Sequence, residues 1–112
     1  MNDILEKQVA QKIERFEAFE ERLNVTFDNI SVRVKSDDYL VIYLEVHPRN
    51  GNKLKSSVSV ECVIYNASGS IIEREMNYLD SDSFFGFEVI EFSFSTEHLA
   101  SQIAKVRIYP KE

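Results

Sequence analysis

The side chains suited to chemistry in this 112-residue chain are few and scattered: two histidines, one cysteine and nineteen acids. His47 and His98 lack the ligand spacing of a metal site, such as H-x-x-x-H or paired cysteines, and read as surface histidines. Cys62 shares its alternation with Val58, Val60 and Ile64, which predicts a buried thiol packing as a small hydrophobe. A nucleophile would instead need partial exposure and a neighbouring base. "DSDS" at 80–83 could offer Asp80 and Asp82 to Ca²⁺, helped by Asp37 and Asp38 from another loop. Such an ion needs about six to eight oxygens, so the expected state is a solvated turn. Carboxylate pairs for glycoside chemistry could be drawn from Glu61, Glu73, Glu75, Glu88 and Glu91, but an acid-rich chain makes such pairs by chance. There is no GxSxG and no glycine-rich phosphate loop. No catalytic residue and no cofactor is expected.

The elements that must position these residues follow from the spacing of apolar side chains. Leu5, Val9, Ile13, Phe16, Phe19 and Leu23 recur at steps of three and four, predicting one amphipathic helix over 3–23. Asp3 with Glu6 resembles a capping box, and Asn24 is a plausible left-handed stop. After Asn24 the period becomes two, predicting a β-sandwich over 25–110. Val25 and Phe27, then Ile30, Val32 and Val34, change parity at Asp28-Asn29, which predicts a bulge or a change of sheet. Leu40, Ile42, Leu44 and Val46 alternate with Tyr39, Val41, Tyr43, Glu45 and His47. Asn50-Gly51 reads as a hairpin dipeptide and "NASGS" at 66–70 as a second tight turn. A weaker strand follows over 71–78, then a loop over 79–83.

"SDSFFGFEVIEFSFS" at 81–95 holds five of the eight phenylalanines. Phe85, Phe87 and Val89 share one parity, Ile90, Phe92 and Phe94 the other, implying a slip at Val89-Ile90 and a core role for the aromatics. A base-stacking platform would need cationic neighbours, and here they are Asp82, Glu88 and Glu91. "STEHLASQ" could hold one helical turn, capped by Ser95 or Thr96. A closing strand over 103–110 points Ala104, Val106 and Ile108 one way and Lys105, Arg107 and Tyr109 the other. Six short strands without intervening helices argue for an antiparallel sandwich. The fold class is therefore mainly β, an immunoglobulin-like antiparallel sandwich of six to seven strands with one N-terminal amphipathic helix, as a single domain over 1–112.

A net charge of −6 opposes a nucleic-acid or anionic-membrane surface. No stretch approaches the apolar length of a membrane span. The start "MNDILEKQVAQKIE" carries charges where a signal peptide needs its apolar segment, so a cytoplasmic location is expected, or an extracytoplasmic one had a leader been trimmed.

From "VECVIYNASGSIIERE" through "FEVIEFSFS" to "KVRIYP", residues 56–110, the pattern resembles the second half of small bacterial immunoglobulin-like sandwich domains of the FxLYD type. The diagnostic "FxLYD" string is absent, and "NYLD" at 77–80 is only suggestive of it. Such domains are commonly extracytoplasmic, and the long leading helix departs from them; no functional residues transfer.

These readings make the chain a non-enzymatic protein-binding module. The candidate contact residues are Tyr39, Val41 and Tyr43, forming an apolar patch if the helix does not cover them, together with an open sheet edge that an extended partner could extend. The helix is expected to pack on its own sandwich, with homodimerisation through it or through a sheet edge as the other use of its apolar stripe. A Ca²⁺ or carboxylate activity at 79–83 and a trimmed adhesin-like domain are the alternative functions.

Overall fold

The computed structural model describes residues 2–36, 39–95 and 99–112. In chain order the elements are α1 (Asn2–Gln11), β1 (Ile13–Arg15), α2 (Glu17–Arg22), β2 (Val25–Ser36), β3 (Tyr39–Pro48), β4 (Val58–Tyr65), β5 (Ile71–Leu79), β6 (Glu88–Ser95), α3 (Leu99–Gln102) and β7 (Lys105–Lys111). Two sheets face each other, ordered β1-β7-β4-β5 and β2-β3-β6. The inward sides of both supply the core: Val58, Val60, Cys62, Ile64, Val106 and Ile108 against Phe27, Leu40, Ile42, Leu44, Phe92 and Phe94, all buried. Alternate residues of a strand point to one face, which is why these apolar positions lie two apart. The mainly β sandwich expected from the periodicity is the observed architecture.

The single helix over 3–23 is replaced by helix, strand and helix. Residues 13–15 run parallel to β7, Ile13 beside Val106 and Arg15 beside Ile108. The Val106 amide donates to Lys12 O (3.0 Å), and Lys12 Nζ donates to Ile103 O (2.8 Å). An edge strand that would otherwise present unpaired main chain is satisfied in this way. Phe16 and Phe19 pack on Tyr109, with ring centroids 5.6 and 6.2 Å away, on the outside of the four-stranded sheet. The helical spacing of the apolar residues was thus produced by two short helices and an extended step between them. Only the first part of the stripe, Leu5 and Val9, joins the core from a helix. Glu6 does not reach back to cap α1; its Oε2 accepts the Val34 amide (2.9 Å), so α1 lies against β2.

Asn24 adopts the left-handed conformation (φ 60°) foreseen for a helix stop. Its side chain accepts from Asn50 N (3.0 Å) and donates to Asn50 O and Lys53 O (both 3.2 Å). Asn29 (φ 52°) marks the foreseen irregularity: the β2–β3 register shifts between Asp28 and Ser31, and the strand stays in its sheet. Asn66–Ser70 closes the β4–β5 hairpin, with Gly69 at φ 86° and Asn66 Oδ1 accepting from Ser68 N and Ser70 N. Asn50-Gly51, however, makes no hairpin. β3 pairs with β2 and β6 while β4 pairs with β5 and β7, so residues 49–57 cross from one sheet to the other, with Leu54 buried beneath the crossing.

The two flanks of the sandwich differ. On one, β1 covers the edge of β7 and α1 covers that of β2. On the other, β5 and β6 are each the last strand of a sheet.

Candidate functional site

β6 pairs with β3 from Val46↔Glu88 to Tyr39↔Ser95 without a shift. The slip expected at Val89-Ile90 does not occur. Even-numbered residues point inward, and Phe84, Ile90, Phe92 and Phe94 are buried. Odd-numbered residues point outward, and Phe85, Phe87 and Val89 are 68%, 50% and 62% exposed. The core assignment holds for three of the five phenylalanines and fails for Phe85 and Phe87. The error came from placing every apolar residue inward, which can only be done by inventing a change of parity.

The outward residues are held in place. Phe87 stacks on His47, with centroids 4.9 Å apart and the planes 5° from parallel. His47 Nε2 lies 2.8 Å from Glu45 Oε1 and 3.8 Å from Asp28 Oδ2. Asn29, set by the bulge, donates from Nδ2 to Glu45 Oε2 (3.0 Å). The His47 hydrogen bond, followed by that of Asn29, holds the Glu45 carboxyl below its ordinary range. Lys53 Nζ stands 5.8 Å from the Phe85 ring centre. Gly86 takes φ 83° and donates its amide to Asn52 O (2.9 Å), fastening the approach to β6 onto the sheet crossing.

The expected contact residues lie on this same outer face. Register puts Tyr43 beside Glu91, Val41 beside Ser93 and Tyr39 beside Ser95. Tyr39 is exposed and Tyr43 half-buried, but Val41 is only 2% exposed and is closed off from a partner. α1 lies on the β2 edge and leaves both tyrosines uncovered.

The free edge of β6 is defined by one hydrogen bond. Asn77 Nδ2 on β5 donates to Glu91 O (2.8 Å). In an antiparallel ladder a residue turns its N–H and C=O to the same side, alternately toward and away from the neighbouring strand. Glu91 O faces away from β3 toward β5, so by the same alternation Val89, Ser93 and Ser95 turn their main-chain groups to the flank that β6 shares with β5. Neither proline nor lysine nor a bulge protects β6, although natural edges commonly carry one of these.

The remaining candidates are committed to structure. Glu61 is buried on the outside of the four-stranded sheet, and its carboxylate takes both arms of Arg74 (2.9 and 3.1 Å), with Lys111 at 3.9 Å. It is not available as half of a hydrolytic pair. Asp80 Oδ1 accepts the Asp82 amide (3.0 Å), and Asp80 O accepts from Ser83 N and Phe84 N, a turn closed on itself. Asp37, Asp38, Thr96, Glu97 and His98 lie outside the described residues. Among the described residues no group of three His, Cys, Asp or Glu is placed to hold a metal ion. Burial pushes the Cys62 thiol well above its ordinary value, with Glu75 adding to the shift. A recess of about 280 Å³ lies at the β4–β5 hairpin, between Tyr65, Asn66, Lys105 and Arg107. There Arg107 is already bonded to Glu14 (2.9 Å) and stacked 5.0 Å from the Tyr65 ring centre. Within the described residues no helix is long and apolar enough to cross a membrane.

No protein-family model and no curated protein matches the chain. Among solved structures it is similar to a DUF1425 family member from Shewanella sp. pv-4, at 10% identity and TM-score 0.47 over 79% of this chain and 77% of that one. It is also similar to the uncharacterized lipoprotein yajI from Escherichia coli, at 13% identity and TM-score 0.44 over 80% and 55% of the two chains. A β-glucosidase from Kluyveromyces marxianus gives 14% identity and TM-score 0.44 over 80% of this chain but 14% of that enzyme.

Proposed function

We propose that this chain is a non-enzymatic interaction domain that receives an extended segment of a partner protein as an added strand on β6. The observation that carries this reading is that an edge strand whose outward main-chain groups face away from its ladder is led in by exposed apolar side chains, Phe85 and Phe87 just before β6 and Val89 within it. Strand addition draws affinity from main-chain hydrogen bonds and specificity from alternate side chains. β6 and the segment that leads into it offer both, with Phe85, Phe87 and Val89 as apolar contacts and Tyr43 and Tyr39 on the same outer face of β3. The other three edges are less suited: α1 and β1 cover two, and β5 carries Glu73, Arg74 and Glu75 in succession.

Ser93→Pro tests the reading. It removes an amide on the open side without taking a donor from the β3 ladder. Peptides selected from a random library on the unmodified protein are expected to lose binding to this variant and keep it with Phe16→Ala, on the opposite sheet. Equal binding by Ser93→Pro, with its fold verified by circular dichroism, overturns the β6 site.

A further inference from the structure

We propose that the segment taken up on β6 is basic, with apolar residues at alternate positions and Lys or Arg between them. This rests on the strand-addition reading above and adds the chemistry of the partner.

The argument is geometric before it is electrostatic. A strand laid along the open side of β6 has two faces. One continues the outer face of the three-stranded sheet and meets Phe87, Val89 and Glu91. The other turns into the seam between the edges of β6 and β5. On β5, Glu73 pairs in register with Ile64 and Glu75 with Cys62, both core-facing residues, so the two carboxylates share the parity that points to the seam. Asn77, next in that parity, demonstrates the direction by reaching Glu91 O. Glu88 has the seam parity on β6. Among the described residues none of Glu73, Glu75, Glu88 and Glu91 is paired with a cation. The nearest guanidinium on β5, Arg74, points the other way and is committed to Glu61. An incoming strand thus meets Phe87 and Val89 with Glu91 beyond them on its outer side, and the carboxylates of Glu73, Glu75 and Glu88 toward the seam. Alternating apolar and basic residues complement both, and acidic ones are repelled.

Asn77 occupies this place in the free domain. Its amide donates to Glu91 O on the side of β6 away from β3, and a docking strand must displace it. Asn77→Ala is therefore expected to bind several-fold more tightly than the unmodified chain, since nothing has to be broken first.

The probes are two capped ten-residue peptides, one alternating valine with lysine and the other valine with glutamate, titrated into the full ¹⁵N-labelled chain. The lysine peptide is expected to move the amides of Val89, Glu91, Ser93 and Ser95. Its affinity should be about tenfold or more above that of the glutamate peptide and should fall as salt is added. Exchanging Glu73 and Glu75 together for Lys is expected to reverse the preference. Equal or better binding of the glutamate peptide at those amides overturns the basic partner and leaves the edge site standing. If neither peptide moves any β6 amide, or the shifts fall on the four-stranded sheet, both readings fail. If β6 amides shift with protein concentration alone and the lysine peptide cannot compete, the occupant is a second copy of the chain and the basic partner is excluded.

Discussion

His47 and Phe87 lie face to face, 4.9 Å between ring centres, although one belongs to a central strand and the other to the approach to an edge strand. The stack fixes an exposed phenylalanine without burying it. Phe94, seven residues on, has the opposite parity and is fully enclosed.

This contrast predicts opposite mutational costs. Phe94→Ala should destabilise the fold by about 3–5 kcal/mol, through lost burial and an unfilled cavity. Phe87→Ala should cost less than about 1 kcal/mol, the scale of one exposed ring contact. Urea denaturation of both variants reads the difference; equal costs would mean that Phe87 is a core residue.

The carboxylate beneath that stack sets a pH dependence. Glu45 has a lower pKa folded than unfolded, first because of its bond to His47. Its contribution is therefore complete above the ordinary carboxyl value near 4.5 and is lost as pH falls through the lower folded value. The melting temperatures of the unmodified chain and Glu45→Gln should differ most near neutrality and converge in acid. A gap that widens on acidification would reverse the sign of this linkage.

Glu20 has no exposed surface, and both its oxygens are taken by Arg15, at 2.7 and 3.1 Å. Arg15→Ala leaves a buried carboxylate unpaired and should cost about 3 kcal/mol or more. Changing the pair together, Arg15→Met with Glu20→Leu, should recover most of that loss, because the charge that needed a partner is gone. A double variant as unstable as the single one would show that the pair contributes more than its own compensation.

The Cys62 thiol is buried, and its pKa is raised by that burial. Thiol reagents attack the thiolate, so the native protein should stay unlabelled at neutral pH and label fully in denaturant. Rapid labelling under native conditions would place Cys62 at the surface.

Positions where a side chain and a backbone requirement coincide were legible in the sequence. Asn24 stands at a left-handed position and Gly69 in a tight turn, both foreseen because few residues tolerate those angles, while the irregularity at Asn29 was foreseen from the change of apolar parity alone. The inward faces of β3 and β4 were equally plain, since Leu40, Ile42, Leu44 and Val46, and Val58, Val60, Cys62 and Ile64, fall on alternate positions, even though Val41 and Val63 are buried on the other faces. Residues 13–15 were not legible. Ile13, Phe16 and Phe19 mimic helical spacing, and only the far-off partner strand makes Ile13 extended. On the outer face Tyr39 and Tyr43 keep the parity expected of them, and Phe85 and Phe87 were assigned to the wrong side. The available clue was the absence of any bulge-forming residue at Val89-Ile90, where the pairing of Glu88–Ser95 runs without a shift. Asn50-Gly51 misled because the same dipeptide serves any sharp reversal, and the choice between hairpin and crossing is made by strands elsewhere.

The β1–β7 ladder ties together residues some ninety positions apart, Glu14 to Arg107 among them, at a separation of 93. On a ribosome, Ile13 emerges long before Val106 exists, and until then its stretch has nothing to zip onto. The early-made stretch must wait as a loose clasp, so the sandwich is sealed in a late, slow step whose rate reflects the entropy of joining such distant segments.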